Sequence, residues 1–223
     1  MKMIKNAANF SFLSAALVVG AILAPTTASA DSAVSASLGV SNFYLYRGVN
    51  LGNNADTLGT AAVSGSLDYS HASGAYAGVW ASSGDANAGT EYDLYAGYAL
   101  EIGDVALGAG VVNYLYPEIE SGSKLSELTE AMLSVSGYGA SASAWKTITG
   151  GGAWYYTLGY ELESFSATLG MTDPKGEDGY SHLDLAYSIK DFTLTLSQVV
   201  DTATDDQEDD LLVNVSYSLA FDL

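Results

Sequence analysis

The chain has 223 residues, with 26 acidic against seven basic ones, no cysteine, and a net charge of −19. That balance excludes electrostatic holding of nucleic-acid phosphates. The missing thiols exclude disulfide scaffolds and thiolate metal centres. Disorder is excluded as well, because aromatic and β-branched residues, 16 tyrosines among them, run throughout.

Residues 1–30 read as an export signal. Lys2 and Lys5 form a basic start, an apolar run extends from Phe10 to Ala24, and Ala28-Ser29-Ala30 supplies a small-x-small cleavage pattern before Asp31. The apolar run is too short for a spanning helix. Removing it leaves one domain, residues 31–223, and takes away two lysines, so the mature charge falls from −19 to −21.

No later segment has helical periodicity. Period-2 alternation dominates and predicts twelve strands in chain order: 33–47, 57–70, 75–82, 90–101, 105–116, 125–138, 140–147, 153–163, 165–172, 180–189, 192–200 and 211–223. The last is the clearest, with Leu211, Val213, Val215, Tyr217, Leu219, Phe221 and Leu223 on one face. On the fourth, Tyr92, Leu94, Ala96 and Tyr98 oppose Glu91, Asp93, Tyr95 and Gly97. Three of these strands have only eight residues, which leaves ten strands as an alternative.

The connections alternate between two classes. Short ones are His71–Gly74, Ile102–Asp104, Tyr138-Gly139, Glu163-Ser164 and Lys190-Asp191; long polar ones cover 48–56, 83–89, 117–124, 148–152, 173–179 and 201–210. Short periplasmic turns, longer extracellular loops and an even strand number describe a transmembrane antiparallel up-and-down β-barrel in the outer membrane of a Gram-negative bacterium. Closure is also how an all-β chain satisfies its backbone in lipid. Aromatics gather toward both strand ends and predict two interfacial girdles. The outer one comprises Tyr44, Tyr46, Trp80, Tyr92, Tyr114, Tyr116, Trp145, Trp154 and Tyr180. The periplasmic one comprises Tyr69, Tyr76, Tyr98, Tyr138, Phe165, Tyr187, Phe192 and Phe221.

With the apolar face toward lipid, the other face lines the lumen and is rich in Ser, Thr and Gly. It carries Asp68, Glu91, Asp93, Glu130, Glu161, His182 and Asp184, against Arg47 and Lys146. Short inward side chains favour a narrow water-filled pore, and a loop folded inward is the alternative. Rings of carboxylates favour cations, which makes these residues candidate pore-lining groups of a cation-preferring channel for small hydrophilic solutes or ions. Arg47, the only arginine, is expected either to pair with an inward carboxylate or to meet lipopolysaccharide phosphate at the rim. The segment Asp201–Asp210 holds six acids in ten residues. It lacks the spacing and glycine of a calcium loop and reads as a solvated extracellular loop.

Several stretches resemble the TorF family of porin-type proteins. The run Ser41-Asn42-Phe43-Tyr44-Leu45-Tyr46-Arg47-Gly48 is similar to its first-strand motif. Further likenesses are Gly74–Ser82, Thr90–Tyr98 and Tyr114-Leu115-Tyr116-Pro117. The resemblance implies an outer-membrane barrel with a porin role and no established catalytic residue. Asn42 stands where that motif has Asp. The chain ends on Leu223 where barrels commonly end on Phe, with Phe221 on the same face as the expected signal for the barrel-assembly machinery.

Two further readings compete with the channel. A barrel with a closed lumen would work structurally or adhesively through its acidic loops. An omptin-like hydrolase would use His182 with Asp184, and Glu91 with Asp93, to activate water. His71 lies in a turn with no triad. The chain contains no G-x-S-x-G, H-E-x-x-H, phosphate-binding or dinucleotide motif, so neither metal nor cofactor is expected.

Overall fold

The computed structural model describes residues 32–52, 60–119, 124–176, 178–202 and 209–223. The export signal over 1–30 and most of the acidic 201–210 loop therefore lie outside the described residues. Twelve strands form the wall. They are β1 (Ser32–Ser41), β4 (Ala62–His71), β5 (Ala75–Asp85), β6 (Gly89–Ile102), β7 (Val105–Leu115), β8 (Leu128–Gly137), β9 (Ala140–Thr147), β10 (Trp154–Leu162), β11 (Phe165–Asp173), β12 (Tyr180–Ile189), β13 (Phe192–Thr202) and β14 (Leu212–Asp222). Two two-residue strands, β2 (Leu45–Tyr46) and β3 (Val49–Asn50), pair only with each other.

Every wall strand is antiparallel to its chain neighbour, and β1 pairs with β14 to close the sheet into a barrel. The predicted strand count and order hold, and the ten-strand alternative falls. Two ends are corrected. The first strand stops at Ser41 rather than residue 47, and the second begins at Ala62 rather than residue 57. The Phe43–Tyr46 alternation that extended the first strand belongs to a segment that leaves the wall.

Tight turns explain the short connections. Tyr138 and Gly139 both have positive φ, at 54° and 80°. That is the geometry of a two-residue turn whose twist matches the flanking strands.

The two barrel faces are inverted relative to a soluble protein. Leu38, Leu67, Leu133, Leu158, Leu185 and Val213 point outward and are exposed. Ser, Thr, Gly and the carboxylates point inward. A contiguous apolar exterior of this kind suits lipid, and among the described residues no helix is long and apolar enough to cross a membrane.

The girdle expectation holds at the end with the short turns, where Tyr69, Tyr98, Tyr138, Phe165, Tyr187, Phe192 and Phe221 are exposed outward. Phe165 packs on Tyr187 with ring centroids 4.8 Å apart, and Phe192 on Tyr217 at 4.7 Å. Tyr76 is the exception there, since its hydroxyl reaches into the space opposite Gly97 and Gly110. The loop end departs from expectation. Tyr92, Trp154 and the adjacent Tyr156 face outward. Tyr44, Tyr46, Trp80, Tyr114, Tyr116, Trp145 and Tyr180 instead turn into the lumen, several joining a buried cluster with Tyr95, Val112, Met132 and Tyr155. Lys146 is corrected too. It lies exposed on the outside, its Nζ 4.8 Å from the Trp154 ring centroid.

Adjacent residues on one strand thus face opposite media. Leu133→Arg, mid-strand on the lipid face and 65 % exposed, is expected to cost about 2–4 kcal/mol. Ser134→Arg, facing the lumen, is expected to cost less than half of that. Urea unfolding midpoints in phospholipid vesicles measure both, and the opposite ranking would overturn the assignment of faces.

Candidate functional site

The chain leaves the barrel wall at Asn42. Its side chain continues the sheet in place of a peptide. Asn42 Nδ2 donates to the Val213 carbonyl at 2.9 Å, and its Oδ1 accepts from the Val215 amide at 2.8 Å. An Asp at this position could accept but not donate, which gives the asparagine a physical reason. Asn214 then donates to the Phe43 carbonyl at 2.9 Å and holds the next residue inside the lumen.

From there Leu45-Tyr46-Arg47-Gly48-Val49-Asn50 folds into a small hairpin. Arg47 and Gly48 occupy its tip with φ of 49° and 81°, the left-handed geometry of a two-residue turn. The hairpin plugs the loop end of the lumen. Its tip packs so closely on β12 that a Cβ at Gly48 would lie 2.5 Å from His182 Cβ.

Arg47 is the anchor. Its Nη1 and Nη2 donate to the two Glu130 carboxylate oxygens at 3.2 and 2.5 Å, and its side chain is only 11 % exposed. The guanidinium lies 4.9 Å from the Tyr46 ring centroid and 4.3 Å from that of Tyr155. A bidentate pair stacked on aromatic faces is a setting that Arg fills and Lys does not. Tyr114 Oη and Thr147 Oγ1 also donate to Glu130, at 2.9 and 3.3 Å. Tyr180 Oη donates to the Arg47 carbonyl at 2.9 Å. On the other flank Tyr44 Oη donates to Glu91 at 2.7 Å. Burial and the neighbouring Glu91 push the Tyr44 hydroxyl above its ordinary pKa, so it remains a donor.

A second network runs behind the tip. His182 Nδ1 lies 3.1 Å from Asp184 Oδ1, and His182 Nε2 lies 3.0 Å from Tyr155 Oη. Ser197 donates to Asp184 at 2.5 Å. Gly170 stands opposite His182 across the β11–β12 pair, where any Cβ would strike the imidazole.

Of the eight sequence-predicted site residues, the structure gathers six around the plug: Arg47, Glu91, Asp93, Glu130, His182 and Asp184. Asp68 lies lower, accepting from Tyr95 and from Ser66. Glu161 faces inward near the turn end, opposite Ser166. The paired carboxylates and the Asp–His pair of the hydrolase reading both exist, but the hairpin stands between them. Tyr44 covers Glu91, and Gly48 covers His182, which is fully buried. Sequence reading missed the lumen roles of Tyr44, Tyr46, Tyr155 and Tyr180. The signal was there in Arg47-Gly48, a two-residue turn between short alternating runs.

Below the plug the lumen changes character. Ser66, Asp68, Ser134, Ser136, Thr168 and Glu161 are half-buried and form a polar vestibule toward the turn end. The β13 side of the lumen is packed instead, with Thr195 and Ser197 fully buried.

Residues 25–214 match the model of a family described as "Bacterial protein of unknown function (Gcw_chp)". No curated protein matches the chain. A structure from work on the mechanism of in-meso crystallization of membrane proteins shares the fold, with a TM-score of 0.56 and 13% identity over 85% of this chain and 84% of that one. A KdgM porin aligns with a TM-score of 0.47 and 9% identity over 85% of this chain and 98% of its own.

Removing one partner of a buried ion pair costs about 3–5 kcal/mol. Glu130→Ala is therefore expected to release the hairpin from the folded barrel. Trypsin cannot enter the lumen, so cleavage after Arg47 reports release. The fragment ending at Arg47 should be absent from digests of the wild-type barrel and abundant in the variant, as read by mass spectrometry. Equal resistance of the two would refute anchoring by this pair.

Proposed function

We propose that this chain, which belongs to the Gcw_chp family of bacterial proteins, is an outer-membrane channel of porin type, cation-preferring, and held shut in this conformation by the β2–β3 hairpin. The turn end is then periplasmic and the loop end extracellular. The observation that carries the reading is the division of the lumen into a polar, half-buried vestibule and a separate hairpin that is not part of the wall. A barrel built only as a scaffold has no need of a vestibule. Twelve strands also fall between barrels that side chains fill, at about eight, and barrels with a wide aqueous channel, at about 16–18.

The TorF likeness supports the same reading and gives the first-strand motif a role. The stretch Ser41–Gly48 that resembles it is the stretch that leaves the wall and forms the plug. Cation preference rests on charge. Glu91, Asp93, Glu130 and Asp184 are buried around the plug, and Arg47 is the one guanidinium among them. Carboxylates lining a constriction favour cations.

The closed-lumen reading has one observation in its favour, the depth to which the plug is buried. Planar-bilayer recordings of the membrane-purified protein under a KCl gradient separate the two. The wild type is expected to open rarely, whereas a variant with residues 44–50 replaced by Gly-Gly gives steady, cation-selective steps. A folded but silent variant would overturn the channel and leave the closed barrel. Anion-selective steps would keep the channel and overturn the cation preference.

A further inference from the structure

A recess of about 180 Å³ opens beside the plug, lined by Tyr46, Tyr114, Tyr116, Leu128, Glu130 and the Thr129 and Thr147 pair. That space holds several water molecules' worth of volume, since one needs roughly 10–15 Å³ by the same kind of measure. Three tyrosines and one carboxylate around a small concavity are the chemistry that recognises an organic cation. The protein supplies its own demonstration next door. Arg47 is a guanidinium held between two tyrosine faces and this same Glu130.

The recess's own lining favours a cation: among the described residues that line it, Glu130 is the one carboxylate and none is basic. Behind the recess wall, Asp93 stands opposite Tyr114 on the β6–β7 pair. Among the described residues no three carboxylates or imidazoles converge as a metal-ligand set. The site therefore suits a delocalised organic cation better than a divalent metal.

The recess touches Glu130, but Arg47 does not line it. Solute and Arg47 thus approach one carboxylate from different sides. Glu130 already accepts from Arg47 twice, from Tyr114 and from Thr147, which uses the roughly four acceptor directions a carboxylate has. A cation gains Glu130 only by displacing one of these donors, and Arg47 is the one among them whose own positive charge opposes it.

We infer that this recess binds a small organic cation of the guanidinium or alkylammonium class, which competes with Arg47 for Glu130 and so loosens the plug. The loosening rests on the channel reading; the binding does not.

Binding is therefore tested without conductance, by calorimetric titration of the membrane-purified full chain in detergent. The probes are methylguanidinium chloride and its neutral isostere methylurea. Methylguanidinium should bind saturably and methylurea should not. Arg47→Met, which removes the resident competitor, should tighten binding about tenfold. Glu130→Gln should weaken it about tenfold, and Tyr116→Leu, in the recess lining, severalfold. Heat-modifiable gel migration checks that each variant folds; should Glu130→Gln fail to fold, Tyr116→Leu carries the test. Equal uptake of the two probes, or unchanged affinity in Tyr116→Leu, would overturn the site. Binding as expected in a barrel that never conducts would keep the site and remove the channel.

Discussion

The structure depends on closure of one hydrogen-bonded ladder. In lipid no solvent satisfies an unpaired strand edge, so β1 must find both β4 and β14. Closure then dictates the rest. With the backbone satisfied in the wall, side chains are free to invert, apolar outward and polar inward. A lumen filled by Ser, Thr and Gly leaves space that only further chain or water can occupy. The departure of β1 from the wall at Asn42 is possible because its amide completes the ladder against Val213 and Val215. Without that substitute peptide, the residues that form the plug would leave an edge of β14 unpaired.

Inside such a wall, charges are buried beside an aromatic cluster. An isolated buried charge is costly, and a paired one gains little net stability. What a paired charge does fix is position. Glu130 sets the depth of Arg47 with two hydrogen bonds, and Tyr46 and Tyr155 set the plane of its guanidinium. The His182–Asp184–Tyr155 network makes the floor on which Gly48 rests. The hydrolase reading took this histidine for a catalytic base. In the folded chain both ring nitrogens are occupied and the face is covered, so its evident work is to shape the seat of the plug.

Much of the wall was legible because strand periodicity and facing are the same physical fact. Strands 140–147 and 180–189 were readable to the residue, and each inward carboxylate from Asp68 to Asp184 follows from parity alone. Two things were not legible. Tyr44 and Tyr46 continue the alternation of β1, and nothing in alternation says that a strand has left its sheet. Aromatics at strand ends also satisfy two descriptions, an interfacial girdle and a lumen filling. Tyr92 and Trp154 obey the first, while Tyr114 and Trp145 obey the second. Parity separates them. Tyr92 precedes the inward Asp93, whereas Tyr114 is two residues from the inward Val112. Reading aromatics by height along the strand, without parity, put both in one class.

The plug's composition bears on whether it moves. A permanent plug is best built from apolar side chains, whose burial is favourable in only one state. Here Arg47 is held by one ion pair with Glu130 and by two ring faces, and its carbonyl by Tyr180, while Tyr46 beside it packs on the buried aromatic cluster. Such contacts have large opposing components of desolvation and attraction, so the docked and undocked states differ by less than the number of contacts suggests. The two-residue turn at Arg47-Gly48 pairs Leu45 with Asn50 and Tyr46 with Val49 within the hairpin, apart from the wall's own ladder. An element held to the wall by side-chain contacts and not by a strand ladder can undock without breaking the barrel's own hydrogen bonds, which the gated reading requires.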